Sequence, residues 1–284
     1  MKLLINLLCC FIPSIKIRKA IRAKIRQLAA PRERREQLLK DGCTIDGNIV
    51  VTANSIKFDM SNDTSAYFNI KEILVNEVYS LICKYDCIVI DIGMNCAAAS
   101  LFFAAQKNVE KIYAFEPFKP TVSQAKKNLA LNPELSKKIR VFEYGLGGKD
   151  ATLEIPYSAE WSYRMSTTHA VSIEQNAQTE TVTIKDATQS LAPILEENKG
   201  NHIIIKCDCE GAEFEIFERL DEAKLMDNVD IILMEYHFEK PDRLVKILTE
   251  AGFAVHIQRR QTKKLLLGYL YAVKIQNKQD CLPH

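Results

Sequence analysis

The chain has 284 residues, 47% of them hydrophobic and 26% charged, a balance that sustains one large buried core or two small ones and excludes a wholly disordered chain. Its net charge of +2 hides an asymmetry: residues 1–40 carry eleven Lys/Arg against two Glu, which leaves the remainder at −7. The nine cysteines, an odd number that includes the near neighbours Cys9–Cys10 and Cys207–Cys209, exclude a secreted disulfide framework and point to a reducing cytoplasm.

The opening MKLLINLLCCFIP is too short to span a bilayer and lacks a small-residue cleavage site before the basic run that follows. In SIKIRKAIRAKIRQL, helical spacing puts Ile17, Ile21, Ile25 and Leu28 on one face and basic residues around the rest, with Ser14 as a cap. Such a segment suits an anionic membrane surface, gaining about 1 kcal/mol per basic residue near the headgroups. The expectation is therefore a cytoplasmic protein, peripheral to the inner face of the membrane through residues 1–30, within a basic N-terminal segment 1–40. A helix packed on the body with solvated charges is the competing reading. Nucleic acid is not expected as a partner, because no aromatic residue interleaves with the charges after Phe11.

Residues 43–60 read as short strands broken by turns at Asp46-Gly47 and Asn54-Ser55, and 66–84 as a helix, giving an N-terminal unit over 41–85 that packs on the core. From 86 to 284 the pattern is one domain. Apolar strands near 87–91, 110–115, 139–143, 202–207 and 229–235 alternate with helices near 97–107, 119–131, 186–197, 212–221 and 241–251. That alternation predicts an α/β fold with a parallel sheet covered by helices on both faces. Strands from 253 and 265, with no helix between them, pair antiparallel at one edge and bring the count to seven. Residues 157–178 read as a long polar loop, a candidate lid whose Tyr157, Trp161 and Tyr163 can stack on a sugar ring.

Asp91 ends the first parallel strand, where an open α/β sheet binds its ligand. A dinucleotide fold would carry GxGxxG there, but Gly93 is followed by Met94, Asn95, Cys96 and Ala97, and an acid before the glycine repels phosphate. S-adenosyl-L-methionine has no phosphate but has an amino group, a ribose diol and a sulfonium. Glu116, 25 residues after Asp91 at the end of the second strand, is placed to accept from both ribose hydroxyls, and Asp91 to hold the cationic methionine end.

VIDIGMNCAAAS, AFEPFKP, NLALN, KCDCEGAE and MEYH resemble the FkbM family of S-adenosylmethionine-dependent methyltransferases over about 87–275. The resemblance implies the class I, Rossmann-like methyltransferase fold, with Asp91, Gly93, Met94, Asn95 and Ser100 on the methionine side. It puts Glu116 at the ribose and Phe142 to Gly145, Tyr144 among them, near the adenine, with Pro117 and Asp208 as further expected cofactor contacts. Ala97 stands where the family pattern carries a second glycine, which is expected to narrow the pocket or shift the backbone.

Methyl transfer to a hydroxyl asks the protein to align the nucleophile, exclude water and remove a proton. The strand ending in KCDCEGAE gathers Lys206, Asp208, Glu210 and Glu213, and burying a lysine beside acids is costly unless the pairing has a use. Asp208, Glu210 and His237 are the candidate bases, with Glu235 orienting His237 or pairing with Lys206 and Tyr236 in the core. No metal is expected, because Cys83-x3-Cys87 and Cys207-x-Cys209 are not paired CxxC units. The expected acceptor is a small molecule or glycan, methylated on a sugar oxygen in a glycan or glycolipid intermediate. The competing classes are an inert scaffold of the same fold at the membrane surface and an NAD-linked enzyme.

Overall fold

A computed structural model of the chain describes residue 17 and residues 30–80, 83–169, 178–261 and 266–275. The amphipathic stretch before residue 30, apart from Ile17, lies outside them, as do 170–177 of the predicted loop and the side chain of Trp161.

A helix over 30–40 (α1) leads into a small antiparallel sheet of β1 (Thr44–Asp46), β2 (Ile49–Val51) and β3 (Lys57–Asp59). This sheet docks on α4 (Lys119–Leu131) through two buried amides: Asn128 Oδ1 and Asn132 Oδ1 each accept from a β3 backbone N–H at 2.9 Å. Asn128 Nδ2 also donates to the Cys96 carbonyl at 2.8 Å, joining this sheet to the loop after the first parallel strand.

The predicted helix over 66–84 is shorter than its apolar pattern suggested. It forms as α2 (Asp63–Asn69), widens into a π-helical turn at Ile70–Val75, and stops. Glu77 takes a left-handed backbone (φ 50°), which breaks the helix and turns Tyr79 into the interior.

The central sheet runs β12 (Phe253–Gln261), β13 (Leu266–Lys274), β11 (Ile231–His237), β10 (His202–Cys207), β4 (Cys87–Ile92), β5 (Val109–Phe115), β6 (Ile139–Phe142). Only β13 runs against its neighbours β11 and β12, as the missing intervening helix required. Side chains of β4 alternate between two cores. Val89 joins α3 (Ala98–Ala104), α4 and the N-terminal unit on one face. Ile88, Ile90 and Ile92 join α5 (Ala187–Glu197), α6 (Glu213–Glu222) and α7 (Asp242–Glu250) on the other. Each buried branched side chain contributes roughly 1.5–3 kcal/mol, so the two faces fix the strand's register.

Between β6 and α5 lies a second small sheet absent from the predicted elements: β7 (Gly145–Gly147), β8 (Ala151–Tyr157) and β9 (Gln178–Asp186), in the order β7-β9-β8. The predicted lid starts as a 3-10 turn, Ala159–Arg164, that packs on α2.

Candidate active site

A cavity of about 750 Å³ opens where β4, β5, β10 and β11 end, roofed by α2 and the 3-10 turn. Its floor is fixed by the glycine after β4. Gly93 has φ +80°, and a Cβ there would lie 1.9 Å from the carbonyl oxygen of Asp208. The glycine is therefore demanded by the neighbouring loop, which crosses at van der Waals range, as much as by any ligand.

Glu116 projects from the end of β5 into the cavity, 5% exposed. Its Oε2 accepts from the Asn95 N–H at 2.9 Å and its Oε1 from the Phe118 N–H at 3.0 Å. Burial pushes its pKa up to about 7, against the pull of those two backbone donors. Each oxygen retains a lone pair, so the carboxylate is fixed in orientation yet still able to accept from a diol.

Asp91 lies beneath this floor. Ser100 Oγ donates to its Oδ2 at 2.6 Å, and its Oδ1 stands 3.0 Å from Lys206 Nζ as a charge contact rather than an aligned hydrogen bond. Lys206, 2% exposed, donates to the Gly93 carbonyl at 2.7 Å and sits 5.6 Å from the Tyr79 ring centre. Burial alone would lower the Lys206 pKa, but the charges of Asp91 and Asp208 outweigh it and hold the value above the ordinary lysine range. Tyr79 O–H donates to Asp208 Oδ2 at 3.2 Å.

The other end of the cavity is built from the ends of β10 and β11. His237 Nδ1 bonds to Glu213 Oε1 at 2.8 Å, while Nε2 faces Glu210 Oε2 at 3.7 Å and Glu235 Oε1 at 3.8 Å. Burial would lower the histidine pKa, but the bond to Glu213 and the charges of Glu210 and Glu213 reverse this and hold it well above the usual range. Burial pushes Glu210 up to about 8, against the pull of His237. Glu210 itself has a left-handed backbone (φ 54°) that swings its side chain onto the cavity wall.

A model of the methyltransferase FkbM domain matches residues 91–255, more than half of the chain. The chain belongs to the FkbM methyltransferase family. Its activity is S-adenosyl-L-methionine-dependent methyl transfer, and the cavity suits that cofactor: an acid at the end of β5, no phosphate cradle, and an excess of carboxylates to match a cation. Among solved structures, the chain is similar to a precorrin-6y C5,15-methyltransferase from Geobacter metallireducens (14% identity, 72% of this chain and 88% of that one, TM-score 0.43). It is also similar to a human methyltransferase 10 domain containing protein (15%, 74% and 82%, 0.44) and to M. capricolum TrmK in complex with S-adenosyl-homocysteine (12%, 70% and 66%, 0.40). No curated protein matches the chain. No helix among the described residues is long and apolar enough to cross a membrane.

Of the residues that the FkbM resemblance implied, Gly93, Met94, Asn95 and Glu116 line the cavity, as do Pro117, Gly145 and Asp208. Three do not. Asp91 and Ser100 are fully buried and bound to each other, so Asp91 neutralises Lys206 instead of reaching a ligand. Tyr144 packs edge-on against Phe115 and Phe142, with Lys185 Nζ over its ring at 4.1 Å. Ala97 is also off the cavity. It caps α3 in a left-handed conformation (φ 69°, ψ 22°), so the missing glycine is felt as backbone strain and not as a narrowed pocket.

Of the four catalytic candidates, Lys206, Asp208, Glu210 and His237 all line the cavity, but Lys206 is committed to Asp91 and Gly93. From the predicted lid, Tyr163 reaches the cavity and stacks obliquely on Phe68 at 5.0 Å, whereas Tyr157 is core, bonded to Thr121 at 3.0 Å and packed on Phe118. Tyr236 is buried in the second core. Tyr79 was missed: 129 residues separate it from Asp208, and no local spacing links the two.

Proposed function

We propose that this enzyme methylates a hydroxyl oxygen of a sugar in a glycan or glycolipid intermediate, working beside an anionic membrane surface. When bound, the cofactor supplies a methyl group already activated by its sulfonium. Glu116 accepts from the ribose hydroxyls, Gly93 to Asn95 flank the amino-acid end, and Gly145 lies at the base. The aromatic rings of Phe68, Tyr163 and Phe238, which also line the cavity, suit the apolar face of a sugar.

Glu210 takes the proton from the acceptor hydroxyl. It is the observation that carries this reading: a carboxylate on the cavity wall, its side chain 18% exposed, with His237 Nε2 at 3.7 Å, beyond hydrogen-bond range. Asp208, by contrast, already accepts from Tyr79 and lies near Lys206, and His237 is held through Nδ1 by Glu213. These two position the base and the acceptor.

Feeding isotope-labelled cofactor to a cell-envelope extract should place label in a carbohydrate product as an alkali-stable ether. Label in protein, RNA or an alkali-labile ester would defeat the reading. Glu210→Gln should lower turnover about 10²–10⁴-fold with cofactor affinity nearly intact, and unchanged turnover removes Glu210 from the mechanism. Deleting residues 1–30 should move the protein from the liposome pellet to the supernatant, and equal sedimentation of both forms would refute the membrane part.

A further inference from the structure

We propose that Asp208, Glu235 and His237 bind one divalent first-row transition-metal ion at the His237 end of the cavity. One donor atom from each lies within 4.8 Å of the other two. Donors on a single ion at about 2.1 Å stand about 3.0–4.2 Å apart, so small carboxylate rotations close the set. Glu235 and His237 are alternate residues of β11 and share a face, while Asp208 follows the adjacent β10, so a rigid sheet presents all three.

His237 supplies an independent sign. Its side chain is 8% exposed, and the fully buried Glu213 fixes the ring through Nδ1 at 2.8 Å. Nε2 makes no hydrogen bond among the described residues and points between Glu210 and Glu235, at 3.7 and 3.8 Å. A buried imidazole oriented by a carboxylate on one nitrogen, with the other aimed at acids just out of reach, is the arrangement of a metal-ligating histidine and its supporting shell. Asp208, Glu210, Glu213 and Glu235 all lie close to this one imidazole.

One imidazole with two carboxylates suits Mn²⁺, Fe²⁺ or Zn²⁺ better than Mg²⁺, which prefers an all-oxygen shell. Positions open to the cavity would take oxygens of the acceptor and lower the pKa of a bound hydroxyl. The site goes beyond the proposed reaction and stands whichever atom is methylated. It also departs from the expectation of no metal, because these donors come from two strand ends and not from a ligand-spacing motif.

The test uses full-length protein stripped with EDTA and titrated with Mn²⁺, with the free ion followed by electron paramagnetic resonance. Mn²⁺ is the probe because Zn²⁺ would also seek the thiols of Cys207 and Cys209, 3.6 Å apart. One ion per chain is expected. Asp208→Asn and Glu235→Gln should each weaken binding at least tenfold, and Glu213→Gln about 10–100-fold through the histidine ring. Cys209→Ser should leave it unchanged. S-adenosyl-homocysteine binding, measured on every variant, reports separately whether the fold and the Glu116 end are intact. No Mn²⁺ bound up to about 1 mM overturns the proposal, as does binding that Glu235→Gln and His237→Ala leave untouched. Loss of S-adenosyl-homocysteine affinity in Glu235→Gln without any Mn²⁺ binding overturns it too, and assigns these carboxylates to the cofactor's cationic end.

Discussion

At one end of the cavity a single carboxylate, Glu116, is fixed by two backbone N–H groups, whereas at the other four carboxylates surround the one imidazole of His237 and only Glu213 bonds to it directly. The first end is complete without a ligand, because the main chain has satisfied the acid's geometry. At the second the acids face one another, and Glu213 Oε2 is left with no partner among the described residues. Between them lies the buried Asp91–Lys206 pair, which holds the β4 and β10 ends together and reaches neither ligand. An acid fixed by backbone defines a shape for a constant cofactor, whereas acids facing one another define a demand that a second ligand must meet.

The link between the ends is where the comparison breaks most readily. Gly93→Ala would drive a methyl group into the Asp208 carbonyl at 1.9 Å, so it should cost more than about 4 kcal/mol or prevent folding, as read from urea unfolding. Lys206→Met should cost about 3–5 kcal/mol by leaving Asp91 buried without a counter-ion. The same substitution at Lys126, whose pair with Glu143 is half exposed, should cost no more than about 1 kcal/mol. Equal losses at the two lysines would show that Asp91 finds another partner.

Titration sharpens the contrast from the Glu116 side. With a folded pKa of about 7 against 4.5 unfolded, neutral Glu116 contributes stability that is fully present below 4.5 and is lost as pH rises through 7. Relative to Glu116→Gln, the native protein should lose up to about 3 kcal/mol over that interval. Cofactor affinity should run the opposite way, rising through pH 7 as Glu116 gains its full accepting capacity. Proton release on S-adenosyl-homocysteine binding at pH 6.5, measured by calorimetry in buffers of different ionisation enthalpy, checks this. The smallest effect is expected at Ala97→Gly. Relief of the left-handed strain should stabilise the fold by about 0.5 kcal/mol, after the greater freedom of glycine in the unfolded chain is subtracted.

The central sheet was legible because β4, β5, β10 and β11 are apolar runs each followed by a helix; α4 occupies the predicted residues 119–131. The antiparallel β13 was legible because no helix precedes it. The sheet of β7 to β9 was not, although ATLEIPY and QTETVTIKD both alternate. β8 carries Pro156 and is an edge strand, where a missing N–H costs no ladder bond. In the active site, residues placed by strand ends were visible: Glu116, Asp208, Glu210 and His237. Asp91 was misread because its counter-ion, Lys206, sits on a strand 115 residues later in the chain and its alignment with Asp91 appears only once β4 and β10 pair. Glu213 could be seen in the ionisable cluster, but its hold on His237 depends on how α6 packs against β11.

Tyr79, which closes the cavity against Asp208, also has neighbours that are held from far along the chain: Glu72 bonds to the Tyr269 hydroxyl, 197 residues away, and the Val78 carbonyl accepts from Tyr271, 193 residues away. The inner wall of the chamber is thus made by an early segment whose anchors lie 193 and 197 residues further along the chain. Loop-closure entropy over such separations makes these contacts late in folding. A nascent chain cut short before β13 would carry the family's motifs and every donor around His237, and still lack the clasp that shuts the chamber.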